Sequence, residues 1–110
     1  MKPSSAKQKG RLLQQWVRDK IIQYAPELRE GDVKSTSMGA GGEDVQLSPA
    51  ARDLYPIQIE CKSRAKMAVY EDYKQAASHG THEPVVIIKQ NQCKPLAVVD
   101  ADFFFRNFRK

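Results

Sequence analysis

Apolar side chains recur along the first quarter of the chain at the three- and four-residue spacing of one helical face. This spacing predicts a helix over residues 9–25. Pro26 ends it, because proline disfavours a helical conformation in the residue before it. Trp16 lies within the stripe, so we expect it to anchor the helix in the core rather than to stack on a base. The stripe consists of Leu12, Leu13, Trp16, Val17, Ile21 and Tyr24.

Shorter patterns in the rest of the chain predict five strands and two further helices. Residues 56–62 alternate between apolar and polar, whereas residues 85–88 are continuously apolar, as in a strand buried on both faces. This order of elements predicts an α/β (α+β) fold in which helices flank a mixed sheet. The other predicted elements are strands at 32–37, 43–47 and 96–99, a connection at 48–53 with room for one helical turn, a helix at 68–79 stopped by Gly80, and a helix at 101–109 capped by Asp100.

The chain has the size of one domain. Its 110 residues leave no room for two ordinary cores, so we expect residues 9–110 to form the domain and residues 1–8 to form a flexible basic arm. No apolar run is long enough to cross a membrane, and the polar start lacks the apolar core of a secretion signal. We therefore expect a cytoplasmic protein in which Cys61 and Cys93 are free thiols.

Positive charge is concentrated at the two ends of the chain. The 18 Lys and Arg residues against 13 Asp and Glu residues give a net charge of +5, and no acid occurs in the first eleven residues. Basic ends of this kind suit a polyanion such as nucleic acid, with a solvated tail that aids solubility as the alternative. The basic residues concerned are Lys2, Lys7, Lys9, Arg11, Arg106, Arg109 and Lys110.

The strand at residues 57–62 carries the main candidate for chemistry. Its apolar residues alternate with Gln58, Glu60 and Lys62, so one face is apolar and the other carries an amide, a carboxylate and an ammonium. Asp44, sixteen positions before Glu60, would join them from a neighbouring strand. Mg²⁺ prefers oxygen ligands and usually takes one or two carboxylates from a protein. Asp44, Glu60 and the carbonyl of Cys61 would meet that need. Lys62 would then hold or deprotonate the attacking water, or neutralise the phosphate beside the metal.

Asp44 followed by Glu60-Cys61-Lys62 resembles the PD-(D/E)xK nuclease motif, in which an acid precedes E-x-K on the next strand. Three further segments are similar to small Holliday-junction-resolvase-like and virus-type replication–repair nucleases, and the similarity extends over about residues 9–105. It implies a restriction-endonuclease-like fold with an αβββαβ core, metal-dependent hydrolysis of DNA that leaves a 5′-phosphate, and a homodimer that acts on four-way junctions. The virus-type relatives leave a phage origin open. The segments are Lys9-Gly10-Arg11-Leu12-Leu13, the glycine-rich loop 38–42 and Tyr73-Lys74-Gln75-Ala76.

The resemblance also implies roles for individual residues. Asp44 and Glu60 would bind the metal, which is Mg²⁺ with Mn²⁺ able to substitute. Lys62 would be the catalytic lysine, and Gln75 would be a helix glutamine that lines the site. Contacts to DNA are expected from Lys7, Lys9, Arg11, Ser37, Arg64 and Lys66.

Two positions depart from the family pattern. Glu43 stands where a proline commonly precedes the first acid. Gln14 stands where many relatives carry a glutamate that joins the metal shell. An amide is a weaker ligand than a carboxylate and removes one negative charge, so the departure at Gln14 bears on metal affinity and on the number of metals.

Other interpretations of the same residues stay open. Glu60 and Lys62 on one strand face also suit a surface salt bridge, and Gln75 equally suits a solvent-facing position. For the whole protein, the alternatives are a non-catalytic DNA-binding module, a nuclease of linear duplex DNA, and an interaction protein whose basic ends bind an acidic partner.

His79 and His82 lack the four-ligand spacing of a zinc site. The aromatic run 103–105 exceeds what one core face needs, which leaves a dimer contact open.

Overall fold

The structure, a computed structural model, describes residues 3–36 and 43–108. Its helices are α1 Pro3–Tyr24, α2 Pro49–Leu54, α3 Val69–Ala77 and α4 Ala101–Arg106. Its strands are β1 Val33–Ser35, β2 Val45–Leu47, β3 Ile57–Ser63, β4 Glu83–Lys89 and β5 Leu96–Val98. A short 3₁₀ helix, Glu30–Asp32, leads into β1.

The five strands form one mixed sheet in the order β1-β2-β3-β4-β5. Among its neighbouring pairs, β3 and β4 are parallel and the other three pairs are antiparallel. A parallel pair needs a crossover connection, which the segment containing α3 supplies. The predicted mixed sheet flanked by helices and the predicted αβββαβ order are therefore confirmed. The connection at 48–53 contains α2, a somewhat longer helix than the single turn that we expected.

α1 covers one face of the sheet. Leu13, Val17 and Ile21 are buried along this helix in the same apolar cluster as Ile59 and Cys61 of β3. The apolar side of β3 thus faces α1, as its alternation predicts. The buried residues of this cluster are Leu13, Val17, Ile21, Ala25, Leu28, Val33, Val45, Ala51, Ile59 and Cys61.

α3 packs on β3 and β4 from the opposite face. The buried side chain of Gln58 ties this helix to β3: its Nε2 donates to the carbonyl of Ala76 (2.7 Å), and its Oε1 accepts from the amide of His82 (3.0 Å). A Cβ atom at Gly80 would lie 2.6 Å from Gln58 Oε1. Gly80 therefore allows a close approach to Gln58. It is not the residue that stops the helix, because α3 has already ended with Ser78 as its C-cap.

Two predictions about the N-terminal segment are wrong. α1 begins at Pro3 rather than at residue 9, so the helix includes residues 3–8. Trp16 is 41% exposed and is not a core anchor, and Leu12 (56%) and Tyr24 (72%) of the same stripe are more exposed still. The apolar stripe is wider than the face that α1 buries. Neither α1 nor any other helix of the described residues is long and apolar enough to cross a membrane.

Cys61 is buried in the core, and Cys93 is exposed between β4 and β5. Both are free thiols, as the sequence predicts. Burial raises the pKa of the Cys61 thiol above its ordinary value, and the negative charges of Asp44 and Glu60 raise it further. The thiol therefore stays protonated and acts as a small core side chain.

Candidate active site

Asp44 is held beside β3 by its backbone and by its side chain. Its amide donates to the carbonyl of Ile59 (3.0 Å), and its carbonyl accepts from the amide and the hydroxyl of Thr36 (2.9 and 3.0 Å). The Oδ2 atom of Asp44 accepts a hydrogen bond from the amide of Cys61 (2.7 Å). The carboxylate thus occupies the edge of β3 at the point where β2 has not yet begun.

Glu43, the residue before Asp44, contributes to this placement. Its carboxylate forms a bidentate ion pair with Arg52 of α2, with Nη1 2.7 Å from Oε1 and Nη2 3.0 Å from Oε2. The same Nη1 donates to the carbonyl of Ile57, the first residue of β3. Bidentate pairs fix orientation as well as distance. Arg52 therefore ties the segment before Asp44 to the start of β3.

Glu60 and Lys62 emerge from β3 on the face that carries α3. Glu60 is only 3% exposed. Burial is the main cause that raises its pKa, the hydrogen bond and the negative charge of Asp44 raise it further, and the Lys62 ammonium opposes the rise. These effects raise the pKa of Glu60 to about 8, so without a bound cation Glu60 retains its proton near neutral pH. The three side chains of the motif therefore lie together.

α3 and the residues after it add two side chains that the sequence pattern did not reveal. The Nε2 atom of His79 lies 3.0 Å from Oε2 of Glu60. Asp72 is 2% exposed, places negative charge near Glu60, and accepts from Nη2 of Arg64 (2.9 Å). Asp72, Ala76 and His79 follow helical spacing, so they share one face. That spacing is visible in the sequence, but an acid is rarely expected on a buried helix face.

The oxygen atoms of this site suit a hard divalent cation. The carboxyl group of Glu60 is within hydrogen-bonding reach of Asp44, and a cation between the two carboxylates would remove their mutual repulsion. The carbonyl of Cys61 points to the same strand edge as its amide, and hence toward Asp44. Two carboxylates and a carbonyl are what Mg²⁺ takes from a protein, since it keeps several waters. Among the residues described, no three His, Cys, Asp or Glu side chains form a group that could hold a metal ion by themselves.

The structure places the other predicted site residues on different elements. Gln75 is exposed on α3, next to the face that carries Asp72. Arg64 is paired with Asp72, and Nζ of Lys9 donates to Oδ1 of Asn91 (2.8 Å). Lys7, Arg11 and Lys66 are exposed, whereas Ser37, the glycine-rich loop, Lys2, Arg109 and Lys110 lie outside the described residues.

Gln14 is 2% exposed within α1. It lies one turn before Arg18, whose Nε donates to the carbonyl of Val33 (3.1 Å), so this side of α1 faces β1. α1 as a whole packs on the face of β3 opposite to Glu60. Gln14 is therefore part of the interface between α1 and the sheet, and its approach to a metal stays a prediction.

Comparison of the chain with protein-family models, curated proteins and solved structures finds no match. The function is therefore inferred from the side chains of the site. These are a carboxylate fixed by a backbone amide, a buried carboxyl group of raised pKa, and a lysine on the same strand face.

Proposed function

We propose that the protein is a Mg²⁺-dependent DNA endonuclease with a site of the PD-(D/E)xK type. The observation that carries the proposal is the hydrogen bond from the amide of Cys61 to Oδ2 of Asp44 (2.7 Å). This contact holds the first acid against the strand that bears Glu60 and Lys62. It supports the proposal because the motif needs an acid and an E-x-K segment on adjacent strands.

Each side chain of the site would have a separate role in hydrolysis. Asp44 and Glu60, with the carbonyl of Cys61, would hold the cation through oxygen atoms. Bound Mg²⁺ supplies a more acidic water and stabilises negative charge on the phosphate. The Lys62 ammonium would orient that water and neutralise the phosphate. His79 would keep the carboxylate of Glu60 in one orientation through its contact with Oε2.

Branched DNA is the proposed substrate, with linear duplex DNA as the alternative. A domain of this size has little surface for reading bases, and phosphate contacts position DNA without carrying sequence information. Exposed lysines such as Lys7 and Lys66 would supply such contacts. A symmetric dimer would present two sites for cuts on opposing strands. Phe104 (46% exposed) and Phe105 (69%) of α4 would suit the contact between two copies.

Cleavage of labelled DNA tests the proposal. The protein is incubated with four-way junction, flap, nicked and linear duplex DNA in Mg²⁺, in Mn²⁺ and in EDTA, beside Asp44→Asn and Lys62→Ala. Lys34→Ala removes an exposed lysine from β1 and is the matched control. We expect the wild type and the control to cleave with either metal, and each site variant to lose roughly 100-fold or more in rate.

The possible outcomes separate the candidate functions. Cleavage that survives EDTA, or that survives both site substitutions, contradicts the proposal. Binding without cleavage in every condition would favour a non-catalytic DNA-binding module. The absence of both DNA binding and DNA cleavage would favour a protein whose basic ends bind an acidic partner. Equal cleavage of junction and linear duplex removes the preference for branches and leaves the nuclease.

A further inference from the structure

A groove of about 440 Å³ lies between α1 and the turn that joins β4 to β5, and we call it the α1–β4 groove. Leu12, Trp16 and Pro95 provide its apolar walls, and Lys9 and Lys89 are also part of its lining. Small-molecule sites typically measure about 300–1,000 Å³. The groove is therefore large enough to admit a planar heterocycle such as a nucleobase.

Trp16 is the largest apolar side chain in this groove, and it is 41% exposed. The Nζ atom of Lys20 lies 5.4 Å from the centroid of the indole ring. Lys20 lines a second depression, which borders Trp16 as well. The part of the indole that borders the α1–β4 groove faces open space, so it can pack against a ligand.

The charged residues among the described lining of the groove are lysines, namely Lys9 and Lys89. The Nζ atom of Lys9 is held at the rim by Oδ1 of Asn91 (2.8 Å). Lysines beside an exposed aromatic ring are the combination that binds single-stranded nucleic acid, because the lysines attract phosphates and the ring stacks on bases. A purely apolar ligand would not need the lysines, and a simple polyanion would not need the indole.

The groove reaches the end of β3 that carries the proposed active site. Ser63 lines the groove and directly follows Lys62 on β3. Neighbouring strand residues point to opposite faces, so the groove and the Lys62 side chain lie on the two sides of one strand end. A DNA strand that passes over this end would contact both.

We infer that the α1–β4 groove binds an unpaired nucleotide of single-stranded DNA, with its base against Trp16 and its flanking phosphates against Lys9 and Lys89. The inference rests on the proposed function, because it takes DNA as the ligand. It adds a property of the substrate: unpaired nucleotides must be present close to the bond that is cut, as they are at a branch or a flap.

Intrinsic fluorescence provides the test, because Trp16 is the single tryptophan of the chain. The wild-type protein is titrated in EDTA, so that no cleavage occurs, with a short oligothymidylate, an abasic oligonucleotide of the same length, a duplex of the same length, and polyglutamate. We expect the oligothymidylate to quench the fluorescence of Trp16. The abasic oligonucleotide should bind more weakly and cause little quenching, since it lacks bases to stack.

Affinities of variants for labelled oligothymidylate test the same contact from the protein side. Trp16→Ala should weaken binding roughly 5- to 150-fold, the range expected for loss of one stacked base. Trp16→Phe should retain most of the affinity. Tyr70→Ala removes an aromatic side chain that is 80% exposed on α3 and should leave binding unchanged. Lys9→Ala and Lys89→Ala should each reduce the salt slope by about 0.7, the value for one phosphate of a single strand.

Three results would overturn the inference. One is equal quenching by the abasic oligonucleotide or by polyglutamate, which would show binding of backbone charge or of an acidic peptide. Another is equal affinity of Trp16→Ala and Tyr70→Ala for the oligothymidylate. The third is a concentration-dependent dimer in which Trp16 is shielded, because a second copy would then fill the groove. Quenching without any Mg²⁺-dependent cleavage would support nucleotide binding in the α1–β4 groove and contradict the proposed nuclease activity. Cleavage without quenching would support the nuclease activity and contradict nucleotide binding in the groove.

Discussion

The Nε2 atom of His79 lies 3.0 Å from Oε2 of Glu60, so the segment that follows α3 is joined to a buried carboxyl group of β3. Asp44 approaches the same carboxyl group from the β2 side. Glu60 therefore depends on two neighbours from different parts of the chain for its orientation. A carboxylate that binds a metal in one orientation is sensitive to the loss of such a partner.

If the proposed nuclease site is correct, replacing His79 by alanine should weaken the binding of Mg²⁺ without abolishing cleavage. Loss of a residue that orients a metal ligand typically costs about 10- to 100-fold in metal affinity or activity, so the Mg²⁺ midpoint of the cleavage assay should rise by at least about tenfold. His79→Gln keeps a hydrogen-bonding group and should recover part of the loss. His82→Ala is the control, because the contact of His82 with Gln58 uses its backbone amide. Equal midpoints for His79→Ala and His82→Ala would show that Glu60 does not need the imidazole.

Without divalent cations, the protein should lose stability as the pH rises. The folded-state pKa of Glu60 is about 8 and its ordinary value is 4.5. Between these values the folded protein keeps a proton that the unfolded chain has released. The stabilisation by this proton is complete below the ordinary pKa and is lost as the pH rises through the window toward about 8. Each unit of difference in pKa corresponds to about 1.4 kcal/mol, so we expect a loss of a few kcal/mol.

Urea unfolding in EDTA, at several pH values across this window, measures the effect. Glu60→Gln cannot take up the proton and should show a clearly smaller dependence on pH. Adding Mg²⁺ at the upper end of the window should restore stability to the wild type, because the ionised carboxylates of the proposed site would then bind the cation. The same pH dependence in the wild type and in Glu60→Gln would assign the effect to another group.

The ion pair between Glu43 and Arg52 should stabilise both the fold and the position of Asp44. Arg52→Ala leaves the Glu43 carboxylate and the carbonyl of Ile57 without this donor, which should cost about 1–3 kcal/mol of unfolding free energy. It should also raise the Mg²⁺ midpoint. Arg11→Ala, at an exposed position of α1, is the control for stability. A double-mutant cycle with Glu43→Gln should give a coupling of about 0.5 kcal/mol or more, and strictly additive effects would show that the pair contributes nothing.

Gly80→Ala should destabilise the protein, whereas Gly31→Ala should not. A Cβ atom at Gly80 would lie 2.6 Å from Oε1 of Gln58, while at Gly31 it would meet nothing within 4 Å. Gln58 is buried and bonded on both sides, so it has little room to move, and overpacking of this kind typically costs about 1–3 kcal/mol. Thermal unfolding of the two variants provides the measurement. Equal stability of both would mean that the Gln58 side chain adjusts without cost.

Features with a local period were predictable from the sequence. The alternation along β3 predicted which of its residues face the core and which face the site, because strand geometry has a period of two residues. The capping of α4 by Asp100 was also predictable, because an N-cap acts on an amide only a few residues further along the chain. The Asp100 carboxylate accepts a hydrogen bond from the amide of Phe103 (3.0 Å). The closeness of Asp44 to Glu60 needed one further assumption, that the two lie on neighbouring strands.

Features that depend on tertiary contacts between distant parts of the chain were not predictable from the sequence. The stripe on α1 includes Trp16, but the sheet beneath the helix covers only part of it, so the indole stays exposed. His79 reaches Glu60 only because the crossover brings the end of α3 back over β3. The role of Gly80 depends on the position of Gln58, which is far from it in sequence but close in the fold.

β3 has an apolar face toward α1 and a polar face toward α3, and this difference restricts insertions and deletions within the strand. Deleting or inserting one residue within it would turn Glu60 toward α1 and an apolar residue toward α3, since a shift of one residue exchanges the two faces of a strand. Such a change would remove the site and bury a carboxylate in the core in one step. Point substitutions on one face leave the other face in place. In an evolving lineage we therefore expect gaps to accumulate in the connections around β3, while the spacing from Gln58 to Lys62 stays constant.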